Sequence, residues 1–113
     1  MQISVTFRHM EPSSTLKVYV EQKLERLGKL FYRDVEANVV LSVEKHRHRA
    51  EIWVKGDKTT FNCTEEKEDM YQAIDLVADK IQRQVKKYKS KLHDRKSGRD
   101  ARASASTQTS KKM

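Results

Sequence analysis

Apolar and polar residues alternate at the start of the chain. In Gln2–His9, Ile3, Val5 and Phe7 point one way while Ser4, Thr6 and Arg8 point the other, the pattern of a half-buried strand. Glu11-Pro12-Ser13-Ser14 breaks it, and Ser13 or Ser14 supplies a helix cap. The period then changes. Leu16, Val20, Leu24, Leu27 and Phe31 recur at spacings of three and four, which predicts an amphipathic helix ending near Gly28–Tyr32. Alternation returns in Val35–Lys45 and in Arg49–Lys55, with His46-Arg47-His48 between them as a turn or a twisted extension of both strands. Gly56-Asp57-Lys58 reads as a second turn, and Thr59, Phe61 and Cys63 form the inward row of a fourth strand.

Glu65-Glu66-Lys67-Glu68-Asp69 places acid at the expected start of a second helix, where the helix dipole favours it, and Asp69 with Gln72 has capping-box spacing. Met70, Ile74, Val77, Ile81, Val85, Tyr88 and Leu92 then keep an unbroken three–four period. A helix of about 24 residues is roughly 36 Å long. Strands of six to ten residues span about 20–33 Å, so the helix overhangs the sheet. Residues 96–113, ending in SGRDARASASTQTSKKM, lack an apolar period and read as a disordered tail behind a folded domain of residues 1–95.

The order is β-α-β-β-β-α, an α+β fold with a right-handed crossover through the first helix. Each helix has one apolar stripe, so both share one face of the sheet. The other face carries Arg8, Asn38, Ser42, Arg49, Glu51, Trp53 and Lys55.

Charge is concentrated near the end of the chain. The 113 residues carry a net charge of +8, with 35% charged and 36% hydrophobic residues. The excess is not spread evenly. Residues 80–99 hold Lys80, Arg83, Lys86, Lys87, Lys89, Lys91, Arg95, Lys96 and Arg99 against Asp94 alone. Such a block suits a polyanion, because each neutralised phosphate releases a condensed counterion. On a helical projection, Lys80, Arg83, Lys87 and Lys91 fall in a sector about 80° wide beside the apolar stripe, with Lys86 and Lys89 further round. Lys23, Arg26 and Lys29 offer a second rail on the first helix. Two rails on parallel helices would leave a groove able to straddle a phosphate backbone. The plainer reading is a solvated helix face whose cations suit the dipole at the helix C-terminus. That accounts for a few lysines but not for nine cations against one acid.

Other chemistry is sparse. One cysteine allows no disulfide framework and fits a reduced, cytosolic setting, and Cys63 reads as a buried small hydrophobe. His46 and His48, with His9, have strand spacing compatible with metal, but the remaining ligands are missing. The basic hairpin reads instead as facing RNA or solvent, and no metal or cofactor is expected. Asp75 and Asp79 read as partners for Lys80, Arg83 or the other helix. Trp53 on the polar sheet face suits either base stacking or cross-strand packing. No catalytic constellation, signal peptide or apolar run of membrane-spanning length is present, so neither an enzyme nor a membrane protein is expected.

Asp69-Met70-Tyr71-Gln72-Ala73-Ile74-Asp75, followed by Asp79-Lys80, Arg83-Gln84 and the lysines 87, 89 and 91, resembles the bacterial ribosome hibernation-promoting factors, also called ribosome-associated inhibitors or sigma-54 modulation proteins. Val43-Glu44-Lys45, His48 with Glu51-Ile52, and the opening MQISVTFRHMEPSSTLKVYVEQKLERL support the likeness, which covers about residues 1–95. The resemblance implies a four-stranded sheet with two roughly parallel helices on one face, like a double-stranded-RNA-binding domain. It implies a cytoplasmic stationary-phase and stress factor, monomeric off the ribosome. Such a factor occupies the small subunit between head and body, touches 16S ribosomal RNA at the mRNA and A- and P-site tRNA positions, and silences translation without cutting a bond. By position it implies RNA contacts from Lys23, Arg26, Lys80, Arg83, Lys87 and Lys91, with Lys89 added and Lys86 a weaker choice. The dimerisation domain of long family members has no counterpart here, so pairing of ribosomes would need a separate dimerising factor. The other readings are a general RNA-binding module acting off the ribosome and a protein-binding regulator of a sigma factor.

Overall fold

Ser13 ends the opening loop by accepting the Leu16 N–H on its hydroxyl at 3.2 Å, which satisfies one of the first-turn donors that a helix leaves unpaired. In the computed structural model, which describes residues 1–31, 34–56 and 58–97 with side chains through Ser90, the elements run in the expected order. They are β1 (Gln2–Arg8), α1 (Ser14–Lys23), α2 (Glu25–Gly28), β2 (Glu36–Glu44), β3 (Arg47–Gly56), β4 (Thr59–Lys67) and α3 (Met70–Ser97). The expected first helix is therefore two pieces. Leu24 adopts φ −92° and ψ 1°, which stops α1, and one further turn follows as α2. Leu24 and Leu27 are both fully buried, so the break leaves the apolar stripe intact.

The four strands form one sheet in the order β1-β2-β3-β4. β1 and β2 are parallel, with Val5 opposite Val39, as a helical crossover between them requires. The other two pairings are antiparallel hairpins. Glu44 pairs with Arg47, so the first hairpin turns on Lys45 and His46 alone, with Lys45 at φ 58°. Arg47 and His48 belong to β3.

Alternation and pairing together decide the two faces. Ala37, Val39, Leu41, Ala50, Ile52, Val54 and Phe61 are buried on one of them. α3 packs over β3 and β4 and also touches α1. Its buried side consists of Met70, Ala73, Ile74, Val77, Ala78, Ile81 and Val85. These meet Leu16, Val20, Leu24 and Leu27 in one core.

Two boundaries differ from expectation. Glu65, Glu66 and Lys67 continue β4 instead of opening the helix, because each pairs across to β3. The first turn of α3 contains no acid, and Asp69 just before it accepts the Tyr71 N–H at 3.3 Å. α3 has 28 residues and passes Lys96, which makes it about 42 Å long. It outreaches the longest strand, about 33 Å for ten residues. Residues 98–113, read as the tail, lie outside the described residues.

Candidate nucleic-acid interface

The two flanks of α3 are chemically different. Lys80 Nζ lies 2.8 Å from Glu65 Oε2 on β4, and the Gln84 amide donates to the Asn62 carbonyl at 3.4 Å. This flank leans over the β4 edge. The hydrogen bond that Lys80 donates to Glu65 is the main reason that its ammonium is held above its ordinary range.

The opposite flank faces α1. Asp75 accepts the Tyr19 hydroxyl at 2.5 Å and pairs with Lys23 Nζ at 3.2 Å. Tyr19 and Tyr71 meet edge to face with ring centres 4.8 Å apart. Gln82 donates to the Lys23 carbonyl at 3.2 Å, satisfying an acceptor that the end of α1 leaves open. Further along, Lys89 Nζ sits 5.1 Å from the centre of the Phe31 ring. The Asp75 hydrogen bond pushes the Tyr19 phenol up, and it does the same to the Lys23 ammonium.

The seam between the helices is thus filled by aromatic rings, amides and one ion pair. The rail of Lys80, Arg83 and Lys87 does not line it. Those residues occupy the flank toward β4 and the top of α3. The expected groove between two cationic rails is not formed, because the flank of α3 that touches α1 is the one bearing Tyr71, Asp75, Gln82 and Lys89. Lys91 lies beyond the described side chains.

The structure offers a different cationic surface. At about 100° per residue, Arg83, Lys86 and Lys87 span about 100° on the side of α3 opposite Ile81, facing away from the sheet. All three are exposed, as are Lys23, Arg26 and Lys29 in the same helical layer. Lys23 is tied to Asp75 and Arg83 to Asp79, the latter at 3.2 Å one turn away on the same helix. Arg26, Lys29, Lys86 and Lys87 form no ion pair with any described residue. They are the cations with least to give up on meeting a phosphate. Lys86, the weaker choice from sequence, ranks here with Lys87.

The histidines divide. His46 is exposed in the hairpin turn, but His48 is half-buried, and its Nδ1 is buried with no hydrogen-bond partner among the described residues. His48 shares strand parity with Ala50, Ile52 and Val54, and that parity was the available signal that it faces the helices rather than RNA or solvent. Cys63 is half-buried, and burial, then the neighbouring Glu65 charge, push its thiol up. Among the described residues, no three His, Cys, Asp or Glu side chains gather as metal ligands.

A four-stranded sheet with helices on one face and exposed cations on the outer helical layer defines an α+β protein with one positively charged helical surface. Residues 3–93 match the family described as sigma 54 modulation protein / S30EA ribosomal protein, and the chain belongs to that family. It is 38% identical over 100 residues to the ribosome hibernation promoting factor of Azotobacter vinelandii, covering 87% of this chain and 92% of that protein. The fold matches the Protein Y N-terminal domain of Thermus thermophilus with a TM-score of 0.74 and 36% identity, over 78% of this chain and 99% of that one. A ribosomal subunit interface protein from Coxiella burnetii matches with a TM-score of 0.70 and 26% identity, over 80% of this chain and 99% of that one. The family acts by binding and not by catalysis.

Proposed function

We propose that this protein is a ribosome hibernation factor of the cytoplasm. It occupies the mRNA and tRNA channel of the small subunit, lies against 16S ribosomal RNA and silences translation by steric occupancy. Family membership and the names of the relatives support the ribosomal part of this reading. The observation that carries the RNA part is the set of exposed cations on the outer helical layer, of which Arg26, Lys29, Lys86 and Lys87 have no acidic partner among the described residues. Arg83, Lys23 and Lys80 join by exchanging a carboxylate for a phosphate, Lys89 joins by leaving the Phe31 ring, and Lys91 is assigned to the same RNA by family resemblance alone. The protein works as a monomer, and pairing of idle ribosomes calls on a separate dimerising factor.

The test is co-sedimentation with purified small subunits across a salt series. With about six phosphates neutralised, affinity falls roughly 10²–10³-fold between 50 and 200 mM salt. Excess duplex RNA should not displace the protein. Displacement by duplex RNA would indicate a general RNA binder, and binding indifferent to salt would reject the cationic surface.

A further inference from the structure

The sheet face opposite the helices is uncovered in the described structure and lies away from the cationic helical layer. Its centre is Trp53, 44% exposed on an inner strand of the sheet. Pairing register sets Asn38 on one side of it and Asn62 on the other, with Ser4 beyond Asn38. The exposed part of the indole gains nothing from burial and is left free to stack on a ligand, and its immediate cross-strand neighbours are neutral amides. Along β3, Lys55 stands two residues from Trp53 on the same face, about 7 Å away, and Arg49 four residues the other way, about 13 Å. Arg8 lies in the same cross-strand row as Arg49, through Ser42. Arg8, His9, Arg47 and Arg49 line one concavity at this end of the face, which also contains Glu44, Glu51 and Glu66. Glu66 is engaged by Arg47 at 3.9 Å, and Glu51 accepts the Thr64 hydroxyl at 3.4 Å. Arg8, Arg49 and Lys55 pair with no described carboxylate.

We propose that this open face is a second nucleic-acid site, which binds a single-stranded segment of about three nucleotides by stacking one base on Trp53 between Asn38 and Asn62, with flanking phosphates on Lys55 and on Arg49 and Arg8. An indole offers a stacking surface to any base. The Asn38 amide carries donors and an acceptor suited to a base edge, and Asn62, whose Nδ2 donates to the Ile52 carbonyl at 3.3 Å, offers its amide oxygen. Cations on both sides of the ring lie within the reach of neighbouring phosphates, whereas a duplex would present no free base to the indole. A protein partner is disfavoured because the face around the ring is polar and charged, without the apolar core that a stable protein interface requires.

The chain has one tryptophan, so its emission reports on this site alone. The full-length protein is titrated with a single-stranded hexaribonucleotide and, separately, with a blunt RNA duplex. The expected result is saturable quenching by the single strand and not by the duplex, weakened about tenfold between 50 and 200 mM salt for two to three neutralised phosphates. Arg49→Gln and Lys55→Gln each weaken the quenching severalfold, whereas Lys86→Gln with Lys87→Gln leaves it unchanged. No quenching by the single strand, equal quenching by the duplex, or loss of quenching in the Lys86/Lys87 variant would each overturn the proposal. Because the helical layer is on the opposite face, small-subunit co-sedimentation of the same Arg49→Gln and Lys55→Gln proteins separates a failure here from a failure of the ribosomal reading.

Discussion

The Tyr19 hydroxyl donates to the Asp75 carboxylate across 56 residues of sequence. The same carboxylate holds Lys23, so one acid fastens α3 to two residues of α1, on either side of the buried Val20. Asp75→Asn removes the main cause of the raised Tyr19 phenol, which should then titrate lower, toward the ordinary tyrosine value. A raised folded-state value stabilises below the ordinary tyrosine range, and that contribution disappears as pH rises through the folded-state value. The variant should therefore lose a little stability at neutral pH, about 5 °C or less in thermal midpoint, and lose its disadvantage in strong alkali. Resonance-resolved titration of Tyr19 with thermal melts at pH 7 and above pH 10 checks both. An unchanged Tyr19 titration would contradict the contact.

Gly56 at the end of β3 lies against the ring of Phe31, three residues past α2. A Cβ built there would lie 2.8 Å from Phe31 Cε1. Phe31 is itself held between Lys89 on one side and the Phe61 ring, 6.2 Å away between centres. Gly56→Ala should cost about 1–3 kcal/mol, as overpacking does. Adding Phe31→Leu should recover part of that loss, because the clash is with the ring rather than the backbone. Denaturant unfolding of the single and double variants decides the matter, and strictly additive losses would exclude this explanation.

Cys63 should react slowly. Burial and the Glu65 charge both hold its thiol above the ordinary range, so the folded protein carries little thiolate at pH 8. Alkylation by iodoacetamide should be markedly faster once the protein is unfolded in urea. Glu65→Gln should speed the native reaction only in part, since burial is the larger cause and remains. Equal rates in native and unfolded protein would mean that the thiol is not shielded.

The cations of α3 should not contribute equally to ribosome binding. Each lost phosphate contact lowers the slope of log affinity against log salt by about 0.7–0.9. Lys86→Gln and Lys87→Gln should each show that decrement in co-sedimentation. Lys80→Gln should show less, because Lys80 already has Glu65 as partner at 2.8 Å. A larger decrement for Lys80 than for Lys87 would return the binding surface to the β4 flank.

Most of the fold was legible along the chain. Periods of two and of three to four placed every strand and both helical stripes, and the Ser13-Ser14 pair announced the start of α1, with the structure choosing Ser13 as the cap. The break at Leu24 was not legible, because Leu24 and Leu27 keep the stripe whether or not the helix is continuous. The extension of β4 through Lys67 was hidden for a related reason. Acidic residues suit a helix start, but cross-strand pairing with His48, Arg49 and Ala50 claimed them first.

The cationic surface divides along the same line. Residue order and helical pitch are enough to collect the positive charge on one amphipathic helix and to set how many degrees separate its cations. Residue order also carries the family likeness. Which flank of α3 meets α1 came from packing alone, since a helical projection has no outside reference until a neighbour is packed against it. That packing committed Asp75, Gln82 and Lys89 to the seam, gave Lys80 to Glu65, and left Lys86 and Lys87 facing outward.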